Sequence, residues 1–430
     1  MSYKSDTNFL VNLLGCFLFY LIFFTCRNYF QAGDLSLVFL CFVNAVLPIA
    51  IYEIYRATEK NSKFPINFKI RNKFSLDRIF KKLIGLAITF LAIFLIYNLF
   101  PIYRTDYYKP FFEKLLLVSD YIFILAIPYF IITDLMMKNP KDSYYNLGLI
   151  AKFDFKNIDK KLIWEHSRAW IVKAFFLPLM TIYCINNFNF LHNLNLSNIQ
   201  NFKNFFDLAY SFIFTIDIIF AVIGYSLTLK LFNTQIYSAE PTLLGWLVCI
   251  MCYEPFWVGA FNSNYFQYEE GYYWGNFFTE NSIGYIIWGS LILFSIGIYS
   301  LATVAFGMRF SNLTYRGLVS DGPFALTKHP AYVFKNLSWW LISIPFITNS
   351  DWVTAVRNCA MLFGVNIIYY VRARTEENHL SNFPEYVAYA EAMNEKSIFA
   401  WVGKFFPFMK YSYERAKNSG SKTYDKFTCR

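Results

Sequence analysis

The stretch LVSDGPFALTKHPAYVFKN, Leu318 to Asn336, is the longest run in the last third of the chain where Gly, Pro, His and charge break into apolar sequence. A second polar cluster, RARTEENH from Arg372 to His379, follows one hydrophobic hairpin later, and two of the four histidines, His329 and His379, fall in these clusters. Polar groups beside apolar spans are costly unless solvated or used, so the chemistry of the chain is placed here. Asp321-Gly322-Pro323 signals a turn, and His329-Pro330 starts a helix, Pro being pre-set for a first-turn position. Free N–H groups at such a helix end favour an anionic group, and Tyr332, just inside, supplies a hydroxyl or a ring. The same residues also fit an ordinary interfacial helix start with solvated Lys328 and His329. On a helix Arg372 and Glu376 stand four apart, so an ion pair is available to them. Two such clusters on one membrane face make a pocket for a zwitterion carrying carboxylate and ammonium.

The surrounding composition sets the class. Of 430 residues 56% are hydrophobic, 22% aromatic and 16% charged, with mean hydropathy +0.33, against roughly 25% charged in an ordinary globular protein. This predicts an all-α, polytopic integral-membrane helical bundle. The net charge of +10 raises nucleic acid as a partner, but Lys and Arg sit mainly in short loops beside apolar spans, where membrane topology accounts for them; no nucleic-acid partner is expected. The eight cysteines lie mostly in or at the ends of apolar segments, without the spacing of a disulfide framework. Cys249 and Cys252 form a CxxC with no second ligand pair, which reads as helix packing and predicts no metal site. The first apolar run, Phe9 to Cys26, lacks a small-residue cleavage site and reads as an uncleaved first span.

A bilayer core of ~30 Å takes about 20 apolar residues per helix. That template finds about ten spans, near 8–26, 35–55, 83–101, 112–136, 168–186, 207–231, 243–261, 283–306, 331–348 and 352–371. Basic residues accumulate in alternate loops: Arg56, Lys60, Lys63, Lys69, Arg71, Lys73, Arg78, Lys81 and Lys82 in the second, and Lys138, Lys141, Lys152, Lys156, Lys160 and Lys161 in the fourth. The seventh is acidic, with Glu269, Glu270 and Glu280. Both termini, both polar clusters and the basic tail (Lys404, Lys410, Arg415, Lys417, Lys422) are therefore expected on the cytoplasmic face. The chain divides into a multi-span region, 1–238, of open role and a tighter unit, 239–430. Glu240-Pro241 marks the start of the seventh segment and Glu254-Pro255 a kink within it. The Asn-rich segment Asn186 to Asn204 reads as an outer loop.

The order LVSDGPFALTKHPAYV, hydrophobic hairpin, then YYVRARTEENHLSNFPEYVAY resembles the isoprenylcysteine carboxyl methyltransferase family and its phospholipid methyltransferase relatives, over roughly residues 283–400. Those proteins read LV-x-x-G-x-Y-x-x-x-RHP-x-Y, a hairpin, R-x-R-x-EE, then a short Tyr-bearing helix. The resemblance implies a helical membrane bundle whose C-terminal elements enclose S-adenosylmethionine, with a lipophilic acceptor entering from the bilayer lipid. It places the cofactor against Leu318, Val319, Gly322, His329, Pro330, Tyr332, Arg374, Glu376 and Glu377, and puts Lys328, Arg372 and Tyr386 at the transfer site, with Tyr389 on the same helix. It would use an imidazole and an Arg for the methionine carboxylate and a Glu for amino or ribose groups. Lys328 stands where the family usually has Arg, Phe324 where it has Tyr, Phe334-Lys335 where a small Gly commonly follows, and Ala392 where a basic residue is usual. Two other readings stay open from sequence: an NADPH-dependent reductase of the sterol reductase type, and a membrane transporter or structural protein.

Overall fold

The computed structural model describes residues 4–31, 33–57, 64–66, 68–194, 199–262, 265–269 and 272–418. Of the loop charges read from sequence, Lys60, Lys63, Glu270 and Lys422 lie outside the described residues. Among the described residues fourteen α-helices run in the order α1 (Phe9–Cys26), α2 (Leu35–Ala57), α3 (Leu76–Leu99), α4 (Lys109–Met136), α5 (Ser143–Ala151), α6 (Lys160–His192), α7 (Phe202–Ser226), α8 (Leu243–Ile250), α9 (Trp274–Phe277), α10 (Ile283–Phe306), α11 (Pro330–Ser343), α12 (Trp352–Leu380), α13 (Pro384–Lys396) and α14 (Val402–Phe405). Polar side chains start many of them: Asn8, Ser75, Asp159, Asn201, Ser282 and Asp351 each accept from backbone N–H groups of the first turn, satisfying donors that have no intrahelical partner. The two short strands β1 (Ser238–Ala239) and β2 (Thr314–Tyr315) pair antiparallel.

Seven helices among the described residues, α1 to α4, α6, α7 and α10, are long and apolar enough to cross a membrane; the protein is an integral, multi-pass membrane protein. They match seven of the ten spans expected from sequence. The other three differ for local reasons. The segment near 243–261 holds α-helix only over the eight residues of α8, about 12 Å of rise, followed by a π-helical turn at Trp257–Asn262, because Pro255 disfavours helix at the residue before it and clashes with the preceding turn. α11 has 14 residues, about 21 Å. α12 has 29, long enough in principle, but it carries Arg357, Asn358 and the whole Arg372–His379 cluster, which continues the apolar helix without a break. The described ends of the Asn-rich segment include helix where a loop was expected: α6 runs through His192 and α7 begins at Phe202.

Burial organises the bundle around α1, α2, α6, α7 and α10, where Phe19, Phe23, Ile49, Phe188, Leu191, Ile219 and Val304 form one core. Elsewhere two backbones touch. A Cβ on Gly85 of α3 would stand 2.0 Å from the Tyr144 carbonyl oxygen, and one on Gly148 of α5 2.1 Å from that of Lys81; only glycine admits this approach. Charge is buried in matched sets. Asp134 (α4) accepts from Lys82 at 2.9 Å and Arg78 at 2.5 Å, and Glu53 (α2) pairs at 2.8 Å with Arg309, both almost fully buried.

The N-terminal segment packs on the opening of the 318–336 loop. Leu318 N–H donates to Asp6 Oδ2 at 2.8 Å and Asp6 N–H to the Leu318 carbonyl at 2.6 Å. Asp321 accepts from Ser5 Oγ at 3.0 Å and from the Phe9 N–H at 2.7 Å. Gly322, at φ +56°, lies under the Phe9 ring, which a Cβ there would meet at 2.7 Å.

Candidate functional site

The helix start expected at His329-Pro330 is present: α11 begins at Pro330 with His329 as its cap residue. Ahead of it the Asp321-Gly322-Pro323 turn forms a short 3₁₀ segment over Gly322–Ala325. α12 delivers the second cluster against this loop, so residues some 45 apart in sequence become neighbours. Tyr332 donates its hydroxyl to Glu376 Oε2 at 2.6 Å, and the Tyr332 ring stacks on His329 at 5.5 Å with an 8° interplanar angle.

The adjacent carboxylates of α12 have different surroundings. Glu377, 3% exposed, gathers three basic side chains: Lys328 at 2.8 Å, His329 at 3.2 Å and Arg374 at 2.6 Å. Burial pushes its carboxyl up, but the hydrogen bond from His329 and the charges of Lys328 and Arg374 outweigh that and hold it well below the ordinary carboxylate range. Burial likewise lowers the Lys328 ammonium, with Glu377 opposing. Arg374 also donates to the Lys410 carbonyl at 3.3 Å and to that of Phe408, so the tail is tied into the same network. Glu376 has the Tyr332 hydroxyl instead and faces a cavity.

That cavity is lined by Leu318, Val319, Lys328, His329, Tyr332, Arg372, Glu376, His379, Tyr386 and Tyr389 among the residues singled out from sequence. Gly322, Pro330, Arg374 and Glu377 do not line it. Gly322 lies against Phe9, Pro330 sets the first turn of α11, and Arg374 and Glu377 hold the wall from behind. The ion pair available to Arg372 and Glu376 is not formed. Arg372, buried, sits against the ring faces of Tyr253, Tyr332 and Tyr369 at 5.0–5.7 Å and donates to Asn312 Oδ1 at 2.6 Å, and among the described residues no carboxylate lies within 4 Å of it. Aromatic faces stabilise a desolvated guanidinium. Among the described residues Tyr386 Oη is buried without a hydrogen-bond partner, an orphan expected to cost about 1–3 kcal/mol unless a ligand satisfies it. Tyr389 donates to the Phe324 carbonyl at 2.7 Å and fixes α13 against the loop.

His379 lies deeper. Its Nε2 is 2.8 Å from Ser238 Oγ and its Nδ1 3.8 Å from Glu240; burial lowers it to about 4, and burial raises Glu240. Sequence reasoning missed Asn312, Tyr253 and Asp6, which come from distant segments, and Tyr369, which stands three residues before Arg372 on α12. Lys335 it noted only as out of place, although three-residue spacing from Tyr332 puts both on one face of α11.

Among the described residues the site thus combines a guanidinium without a carboxylate partner, a carboxylate that accepts from a hydroxyl and a phenol without a hydrogen-bond partner around one cavity, a donor set that fits a zwitterionic amino-acid end such as that of S-adenosylmethionine. Comparison with known proteins bears on the same region. Residues 283–382 match the model of the isoprenylcysteine carboxyl methyltransferase (ICMT) family. A stretch of 109 residues is 32% identical to the cobalt-zinc-cadmium resistance protein CzcN of Cupriavidus metallidurans, covering 24% of this chain and 48% of that protein. The chain thus spans about half the length of the curated relative it matches. No solved structure matches.

Proposed function

We propose that the protein is a membrane methyltransferase that uses S-adenosylmethionine to methylate a lipophilic acceptor arriving through the bilayer lipid, with its cofactor cavity on the cytoplasmic face. The observation that carries this reading is the meeting of the two elements of the ICMT-like segment, HPAY and RARTEE, through the Tyr332–Glu376 hydrogen bond at 2.6 Å beside an unpaired Arg372. Arg372 would take the amino acid's carboxylate through a charge-assisted fork, and Glu376 its ammonium. When bound, the cofactor supplies an electrophilic sulfonium methyl. Leu318 and Val319, both buried, exclude water, and His329 holds Tyr332 in register by stacking. Tyr386 offers its free hydroxyl to the reacting pair. Positioning and exclusion of water supply most of the catalysis in such a transfer, in keeping with a cavity built from fixed rings.

Residues 1–238 would form the membrane scaffold through which the acceptor reaches the 239–430 unit. The N-terminal segment, the 318–336 loop and the tail gather at one end of the bundle, which agrees with the sidedness of the basic loops.

Titration of the detergent-solubilised protein with S-adenosylhomocysteine, and with NADPH in parallel, tests the reading. Micromolar binding of S-adenosylhomocysteine, lost in His329→Ala and Glu376→Ala variants that elute normally on gel filtration, is expected. Binding of NADPH alone would replace this reading with the reductase one.

A further inference from the structure

After α13 the chain carries apolar side chains that no spanning helix holds. Trp401, Phe405, Phe406, Phe408 and Met409 are 43–75% exposed. They surround the single turn of α14 and the 3₁₀ segment Pro407–Met409 that follows it. Apolar area on this scale is unfavourable in water, and a patch of this kind marks a surface that something covers. Exposed Lys404, Lys410, Arg415 and Lys417 interleave with these side chains. Between Ile398 and Lys417 the sequence sets one acidic residue, Glu414, against those four.

Contacts with the bundle set the depth of this patch. The Phe408 ring meets that of Tyr370 on α12 edge-on, centroids 6.1 Å apart, and the Tyr370 hydroxyl donates to the Phe408 carbonyl at 3.3 Å. Tyr370 stands two residues before Arg372, where α12 passes from apolar to polar sequence. At the other end Phe399 lies 6.4 Å from Phe334 in the second turn of α11. The segment therefore runs along the level at which apolar sequence gives way to polar, the depth of a headgroup region. Elements that mix aromatic and basic residues are stable there, with rings at the acyl boundary and ammonium groups among the phosphates. The excess of positive charge complements anionic headgroups. Tyr411 fixes the segment from inside: its hydroxyl is 2.7 Å from Ser381 Oγ, and its backbone N–H and carbonyl both pair with the Asn394 side chain at 2.9 Å. We propose that residues 398–417 dock on the anionic headgroups of the adjoining leaflet, with Trp401 and Phe405 at the acyl boundary and Lys404, Lys410 and Lys417 on the phosphates. This surface is separate from the cavity and does not depend on the methyltransferase reading.

The test uses the full-length protein in nanodiscs of phosphatidylcholine alone, or of phosphatidylcholine and phosphatidylglycerol in equal parts. Amide hydrogen exchange in peptides from 398–417 should slow at least about fivefold when phosphatidylglycerol is present. Raising the salt, or combining Lys404→Gln, Lys410→Gln and Lys417→Gln in a variant that elutes as the parent does, should return the rate to within about twofold of that in phosphatidylcholine. Phosphatidylglycerol brominated in its acyl chains should quench the tryptophan fluorescence of the parent more than that of Trp401→Phe. Equal exchange in the two lipids, slowing that survives in the triple variant, or identical quenching of the parent and Trp401→Phe overturns the proposal. Slowing that instead rises with protein concentration in detergent would give the patch to a second copy of the chain and overturn it as well.

Discussion

Replacing either of two adjacent glutamates by glutamine should produce two different defects. Glu377 is 3% exposed and compensates three basic groups within 3.2 Å. Glu377→Gln leaves Lys328 and Arg374 facing each other without their anion. Removing one partner of a buried pair costs about 3–5 kcal/mol; side chains of Lys328 and Arg374 that are 12% and 17% exposed put the figure near the lower end, ~3 kcal/mol. With an unfolding entropy of roughly 2.1 cal/mol/K per residue over the whole chain, that corresponds to a fall of about 3 °C in the melting midpoint. Glu376→Gln is of the same size and chemistry one position earlier, but its amide oxygen still accepts from Tyr332, so the midpoint should stay within about 1 °C of the parent. What it loses is the charge offered to the cofactor's ammonium, about 1.5–3 kcal/mol for a charge-assisted hydrogen bond, or roughly 10- to 100-fold in affinity for S-adenosylhomocysteine. Scanning fluorimetry gives the midpoints and calorimetric titration the affinities. Equal midpoints for the two variants, or the larger affinity loss in a folded Glu377→Gln protein, would refute the division of labour between them.

Other perturbations follow from buried groups. Arg309→Met should lower stability by about 3–5 kcal/mol by stranding Glu53, and adding Glu53→Leu should restore most of it, read as melting midpoints of the single and double variants. Gly148→Ala forces a Cβ to within 2.1 Å of the Lys81 carbonyl; it should push α5 off α3 and lower the midpoint, whereas Gly297→Ala, whose added Cβ meets nothing within 4 Å, should not. His379 carries a pH dependence. Its folded value of about 4 lies below the unfolded ~6.5, so the unfolded chain binds more protons between these values and stability falls as pH drops through that window, by up to about 3 kcal/mol. Glu240, raised by burial, acts in the opposite sense, so His379→Gln should flatten the loss of melting midpoint between pH 7 and pH 4 and leave Glu240's contribution visible.

Much of the site was legible because its two clusters carry their own local signals. His329-Pro330 announces a helix start, and four-residue spacing along RARTEENH announces a polar face. Topology then required the two to meet, and the Tyr332–Glu376 and His329–Glu377 contacts are that meeting. Spacing along one helix misled where partners on another element competed: Arg372 and Glu376 are well placed for each other, yet Arg372 found three rings and Asn312 while Glu376 found Tyr332. Span counting worked for uninterrupted apolar runs. It ran past 243–261, where a proline interrupts the α-helix, while α12 is helical through all of 352–371 and carries its apolar half straight on into the polar one. Asp6, Asn312 and Tyr253 carry no local pattern that points to the cavity; they reach it only through packing.

The contact between Asp6 and Leu318 joins points 312 residues apart in the chain. On a ribosome the first of these partners is made long before the second, so the loop that opens the cavity acquires its backbone support only once the bundle has closed on itself. Expressing residues 239–430 alone would therefore leave Leu318 of the wall without that backbone support, and a bulky fusion placed directly ahead of Ser5 would press on the loop from the far end of the gene.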